Sequence, residues 1–264
     1  MQSCRGTACL LVLLLCAITP AWALSVTPLA VDMAPSGSGA NAVYTLSNPG
    51  TDPVAVGITV KRRELNREGV EHLGDAGVAD NFVIFPPRVI VPPGEQRAVR
   101  LRYVGKQDIE RELAYRVIFK QVPLEDMAPL DETGVQVLIQ FNTRLFVTPA
   151  DGASVLAAEL QPAEAGAATL LLANAGNKRV YLLEPTITLH GPGEAARTLE
   201  GPLLETIRGT LLMAGGERSF LLPADLVAGA EQVSITNHEP TAQEMLEAKR
   251  QQDAQPAEPQ NSGE

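Results

Sequence analysis

The chain has 264 residues, 45% of them hydrophobic, and a formal net charge of −10 at pH 7. That acidity serves solubility and opposes nonspecific nucleic-acid binding, which depends on basic residues meeting phosphates. The 20 prolines and 22 glycines, spread between short apolar runs, fit many turns and short strands better than helices.

Arg5, an unbroken apolar run over residues 8–18 and then Ala21-Trp22-Ala23 make the three parts of a secretory leader, so residues 1–23 are expected to be removed and Leu24 to begin the exported protein. The run is too short to span a bilayer. No later segment reaches the roughly 18 apolar residues a membrane helix needs, so no stable membrane insertion is expected. Cys4, Cys9, Cys16 and the only tryptophan, Trp22, all lie in the leader. The exported protein therefore has no disulfide, and its stability must come from burial, most readily in two domains of about 100 residues each.

From Ser25 onward the pattern predicts strands over residues 25–33, 42–47, 54–62, 82–85, 96–103, 115–122 and 135–147. They are punctuated by Asn48-Pro49-Gly50, Pro86-Pro87 and Pro92-Pro93-Gly94. Seven short strands in this length is the count of an immunoglobulin-like sandwich. The seventh is the most informative. Val135, Val137, Ile139, Phe141, Leu145 and Val147 fall on one face of an extended strand, while Gln136, Gln140, Asn142 and Arg144 fall on the other. Two readings of that stripe follow: it fills the core of its own sandwich, or it is lent to the unfinished core of a partner. Leu138 and Phe146, on the opposite face, are expected in the domain's own core.

Pro149-Ala150-Asp151-Gly152 supplies an elbow, dividing a domain at 24–149 from one at 150–240. The second contains predicted strands over 153–160, 169–174, 180–190, 211–213, 217–222 and 232–236. Leu172-Ala173-Asn174-Ala175-Gly176 echoes Leu46-Ser47-Asn48-Pro49-Gly50, each an apolar strand closing on an Asn-x-Gly turn, which favours two related sandwiches over one sheet. Residues 241–264, rich in Gln, Glu, Pro and Ala, are expected to form a disordered acidic tail.

No catalytic or metal constellation emerges. His72, His190 and His238 lack ligand spacing, and there is no Gly-x-Ser-x-Gly elbow or phosphate-binding glycine loop. The chain is read as a non-enzyme without cofactor or metal. The alternative to a strand-lending protein is an exported immunoglobulin-like adhesion or surface-binding module.

Three motifs, in order, carry a resemblance. Phe85-Pro86-Pro87 leads into Val91-Pro92-Pro93-Gly94-Glu95-Gln96 and Val99-Arg100-Leu101. Glu112-Leu113-Ala114-Tyr115-Arg116-Val117 runs on to Val122-Pro123, and Thr143-Arg144-Leu145-Phe146-Val147-Thr148-Pro149 follows. Together they resemble the PapD-like periplasmic chaperones of chaperone–usher pilus assembly. The resemblance implies an all-β fold of two immunoglobulin-like sandwiches arranged in an L, located in the periplasm. It implies pilin-like subunits and an outer-membrane usher as partners, with no nucleic acid expected given the net charge; the unused stripe, a liability when uncovered, leaves self-capping of the free protein as a dimer open. In that family a donor strand completes the subunit fold, and the matching residues here are Val135, Val137 and Ile139, with Phe141 as a fourth. The family grips the subunit's terminal carboxylate with two basic residues. Arg144 matches one, while the other position falls at Ala30, so Arg116, placed near Asn142 and a diagonal step from Arg144, is the candidate substitute. The family's ion network between domains is matched at Glu112 and departed from at Thr148 and Asn237.

Overall fold

The computed structural model describes residues 24–75, 78–123, 138–193, 195–239 and 244. They form an all-β chain of two compact units, each an immunoglobulin-like sandwich. The first unit comprises residues 24–61, 75–105 and 115–145; the second comprises 62–74, 106–114 and the described residues from Phe146 on. Among the described residues no helix is long and apolar enough to cross a membrane. The expected leader and all but one residue of the expected tail lie outside the described residues.

The strands run in order β1 (Ser25–Thr27), β2 (Ala30–Met33), β3 (Asn41–Ser47), β4 (Val54–Leu65), β5 (Glu71–Gly74), β6 (Phe82–Phe85), β7 (Arg88–Val91), β8 (Gln96–Tyr103), β9 (Leu113–Val122) and β10 (Gln140–Val147). One sheet has the order β1-β3-β8-β6; the other has β2-β10-β9-β4-β5, with β7 also paired to β4. The predicted strand over 25–33 is two strands that serve different sheets. Pro28 explains the break: it has no N–H to give a ladder, so β1 stays on β3 while β2 joins β10.

Alternation puts Tyr44 and Leu46 of β3, Val99 and Leu101 of β8, Tyr115, Val117 and Phe119 of β9, and Leu145 of β10 into the first core. Tyr44 lies 5.0 Å from Phe119 by ring centroids, and Phe82 meets Tyr115 edge-on at 4.8 Å. Burial pushes the Tyr44 phenol up to about 12, with the Thr143 hydroxyl acting weakly in the opposite direction. The unfolded chain releases this proton near pH 10 and the native chain near 12, so the stability Tyr44 contributes is complete below pH 10 and is lost as pH rises toward 12. The urea midpoint of the wild type should fall across that interval by the equivalent of about 2–3 kcal/mol more than that of Tyr44→Phe.

The second unit contains β11 (Leu156–Pro162), β12 (Ala168–Asn174), β13 (Val180–Tyr181), β14 (Glu184–His190), β15 (Arg197–Thr198), β16 (Leu211–Leu212), β17 (Glu217–Leu222) and β18 (Gln232–His238), with short helices α1 (Pro202–Ile207) and α2 (Ala224–Val227). Its sheets are β11-β12-β17, β13-β16 and β15-β14-β18. Leu170, Leu172, Leu182, Ile187, Ile207, Leu212 and Leu222 make its core. The predicted strand over 180–190 is broken by a tight turn in which the Leu183 N–H donates to the Tyr181 carbonyl at 2.9 Å.

The Asn-x-Gly echo has a shared geometry. Asn48 closes β3 and is buried; its Oδ1 accepts from Gly50 N–H at 3.1 Å, and its amide donates to the carbonyls of Asp52 (2.7 Å) and Val91 (2.9 Å). Asn174 closes β12 in the same way, accepting from Gly176 at 3.0 Å and donating to Lys178 (2.8 Å) and Leu212 (3.4 Å). Backbone bonds from Asn48 N to Glu95 O and from Asn174 N to Gly216 O complete the match, each beside a positive-φ glycine, Gly94 and Gly215.

Candidate functional site

Of the site residues expected from sequence, Arg116 lies on β9, Phe141 and Arg144 on β10, and Ile139 just before β10. Gln121 N–H donates to the Ile139 carbonyl at 3.0 Å, and Thr143 Oγ1 donates to the Val117 carbonyl at 3.1 Å. These contacts define an antiparallel register that sets Arg116 across from Arg144. The Arg116 guanidinium reaches diagonally to the Asn142 carbonyl at 3.2 Å. Arg144 is anchored through its backbone, whose N–H donates to the Leu29 carbonyl at 2.9 Å, and its side chain is exposed. Ala30 is exposed at the start of β2, which pairs with β10. Arg116, Lys120 and Arg144 share this outward face with Gln140 and Asn142, since even-numbered positions of both strands point away from the core. Such a surface suits a carboxylate, which two guanidiniums bind by charge-assisted hydrogen bonds.

The odd face of β10 changes character along the strand. Leu145 and Val147 are fully buried and Thr143 nearly so, whereas Phe141 and Ile139 are half-buried. Val135 and Val137 lie outside the described residues. The apolar stripe therefore leaves the core progressively toward Ile139. Leu138 departs from expectation: it precedes β10 and is exposed, in line with the even positions Gln140, Asn142 and Arg144, which look outward. Phe146 is buried, in a small cluster with Ala114 and Leu211 in the second unit.

Glu112, just before β9, is paired by a residue that the sequence did not suggest. Its side chain is 1% exposed and binds Arg179 Nη1 at 2.6 Å. The Arg179 backbone N–H donates to the same carboxylate at 3.2 Å, and the Thr148 hydroxyl donates to it at 2.7 Å. The Arg179 guanidinium also lies 3.7 Å from the centre of the Phe146 ring. All four residues belong to the second unit. Thr148, one of the two departures noted in the sequence, is thus a hydrogen-bond donor, and Arg179 supplies the positive charge. Asn237 acts without charge, accepting from Glu184 N–H at 3.2 Å and donating to the Tyr181 carbonyl at 3.0 Å.

A second surface was not anticipated. On the outer face of the β3-β8-β6 sheet, Val43, Val83 and Phe85 are more than half exposed and line an open depression of about 210 Å³ with Arg100 and Arg102. The register explains the grouping: Val43 and Phe85 flank Arg100 on either side, and Val83 adjoins Arg102.

Residues 25–153 match the family model described as pili and flagellar-assembly chaperone, PapD N-terminal domain. Among solved structures, the class 5 fimbriae chaperone CfaA is similar at 16% identity with a TM-score of 0.60, covering 83% of this chain and 94% of that one. A chaperone–tip adhesin complex of CFA/I fimbriae biogenesis is similar at 15% identity with a TM-score of 0.57, covering 81% and 94%. The CsuC–CsuE chaperone–tip adhesion subunit complex of Acinetobacter baumannii archaic pili is similar at 15% identity and TM-score 0.50, covering 75% and 89%. No curated protein matches the sequence.

Proposed function

We propose that the chain, whose residues 25–153 match the pili and flagellar-assembly chaperone, PapD N-terminal domain, is a chaperone of that PapD-like kind and works in the periplasm, capping pilin-like subunits by lending them β10 and the residues before it. The family match carries the assignment; the half-buried Ile139 and Phe141, where the apolar stripe leaves its own core, support the mechanism. A subunit lacking one strand would gain main-chain hydrogen bonds from the lent segment and pocket contacts from Val135, Val137, Ile139 and Phe141. Each buried aliphatic side chain contributes roughly 1.5–3 kcal/mol at most, so three or four suffice to hold an incomplete fold. Arg116 and Arg144 would receive the subunit's terminal carboxylate. No group in this scheme performs chemistry.

The domain division proposed is 24–149 and 150–240, preceded by a leader and followed by a tail. The outer-membrane usher is the proposed second partner, and the depression at Val43, Val83 and Phe85, flanked by Arg100 and Arg102, suits a segment combining apolar and acidic residues. In the absence of subunit, the unused stripe is proposed to cap itself in a dimer.

Co-expression with a pilin-like subunit tests the reading. The wild type should hold the subunit soluble in a one-to-one complex. Ile139→Asp should weaken capture by about 10- to 100-fold while the free chaperone keeps its circular dichroism and urea midpoint. Arg116→Glu with Arg144→Glu should weaken it also, through the carboxylate. Undiminished capture by Ile139→Asp would sink strand lending, and global unfolding of that variant would assign Ile139 to the chain's own core.

A further inference from the structure

We infer that the turn at residues 66–70 is a detachable guard over the free edge of β17, and that lifting it lets two copies of the chain pair through that edge. This inference does not rest on subunit capping, and the interface differs from a dimer made through β10.

β17 is the last strand of the β11-β12-β17 sheet, so one of its sides pairs with β12 and the other is an edge. In an antiparallel strand, alternate residues direct N–H and C=O to the same side. Ser219 directs its pair away from β12, and its N–H is taken at 2.9 Å by the carbonyl of Arg67. The β4–β5 hairpin carries this carbonyl there. Arg62 to Leu65 pair with Gly74 to Glu71, and the turn between is closed by Asn66, whose Oδ1 accepts from Val70 N–H at 2.7 Å. The other contacts at the tip are also polar: Arg67 Nη2 to Glu217 at 2.6 Å, and Arg218 donating to the Arg67 and Glu68 carbonyls at 3.2 and 3.3 Å. Burial beneath the turn lowers the Arg218 pKa, with the Glu68 charge opposing the change.

These contacts are enough to seat the turn and too few to fix it. The Arg67–Glu217 pair is 59% and 35% exposed, a setting in which ion pairs contribute little. A segment held by a few exposed polar contacts opens well below the free energy of global unfolding. What it uncovers is a six-residue edge, the kind of strand that pairs with another unless something covers it. The sequence of that edge suits its own copy. A two-fold axis at Ser219 lets the two Ser219 residues exchange backbone bonds, sets Arg218 against Phe220 of the second copy, and sets Glu217 against Leu221. No like charges oppose one another, and the guanidinium meets an aromatic ring, as Arg218 already does with Phe220 within one chain at 5.8 Å.

The test is site-resolved amide exchange together with sedimentation of the full chain. In Arg67→Glu, which sets two carboxylates against each other at the tip, the Ser219 amide should exchange at least about tenfold faster while Leu170 and Leu172 in β12 stay protected. A concentration-dependent dimer should appear in which Ser219 is protected again. The charge swap Arg67→Glu with Glu217→Arg should restore both the slow exchange and the monomer. Gly69→Ala should act like Arg67→Glu, because φ is +85° there, a conformation that L side chains rarely adopt, and the added Cβ would displace the Arg218 guanidinium that holds the turn. Unchanged Ser219 exchange in both variants overturns the guard. A freed Ser219 amide with the chain monomeric at every concentration, or a dimer that leaves Ser219 unprotected, overturns the pairing.

Discussion

Arg179→Ala is expected to lower stability by about 3–5 kcal/mol, with urea unfolding as the measurement. The size comes from what is left behind. The Glu112 carboxylate is 1% exposed and Arg179 13%, so water cannot readily replace the missing guanidinium. Two hydrogen bonds survive the change, from Thr148 Oγ1 and from the backbone N–H at position 179, and they keep the loss within that range. The cation over the Phe146 ring is lost as well. Arg179→Lys should cost less, because it keeps the charge and loses the flat stacking and the fork of donors. The decisive variant is the double one. Replacing Glu112 with Leu and Arg179 with Met removes the buried charge along with its partner, so it should be less destabilised than Arg179→Ala alone. A double-mutant cycle that is additive would mean that the pair does not act as a unit.

Glu112 and Arg179 also mark where reading the sequence stops. The place of Glu112 was evident from its motif, yet nothing in Asn177-Lys178-Arg179 announces a partner 67 positions away. The departure at Thr148 was plain from the sequence, but not that the fold would bring the charge from another segment, at Arg179. Similar limits explain the strands. β6, β8 and β17 could be delimited to the residue because proline or glycine turns bound them and apolar residues alternate within them. The end of β4 and all of β5 were hidden, since Lys61-Arg62-Arg63-Glu64 resembles solvated loop. In the structure those side chains find cross-strand partners, among them Arg63 with Glu71 and Lys61 with Asp75. The stripe on β10 was legible as a period of two, but a period cannot say where along a strand the core ends. That boundary falls between Thr143 and Phe141.

The paired asparagines give the second large effect. Asn174→Ala should destabilise the second unit by about 3–4 kcal/mol, and Asn48→Ala the first unit by a similar amount, since each buried polar group left without a partner costs about 1–3 kcal/mol. At Asn174 the orphaned groups are the N–H donors of Gly176 and Val155 and the carbonyls of Lys178, Leu212 and Met213. At Asn48 they are the Gly50 N–H and the carbonyls of Asp52 and Val91. Both side chains are almost wholly buried, so solvent is poorly placed to compensate. Aspartate separates hydrogen bonding from shape. Asn174→Asp keeps the acceptor toward Gly176 and Val155 but turns a charged oxygen toward three carbonyls, which raises the carboxyl pKa in the folded state. Its stability should therefore be greatest below the unfolded value near 4 and fall as pH rises through the raised native value. Asn174→Ala has no group to titrate at that position and should lack this added pH dependence. Amide exchange should locate each loss, at Gly50 in one variant and at Val155 and Gly176 in the other. If the two alanine variants unfold with wild-type midpoints, the two Asn-x-Gly turns are interchangeable loops, and the likeness between the sandwiches has no energetic content.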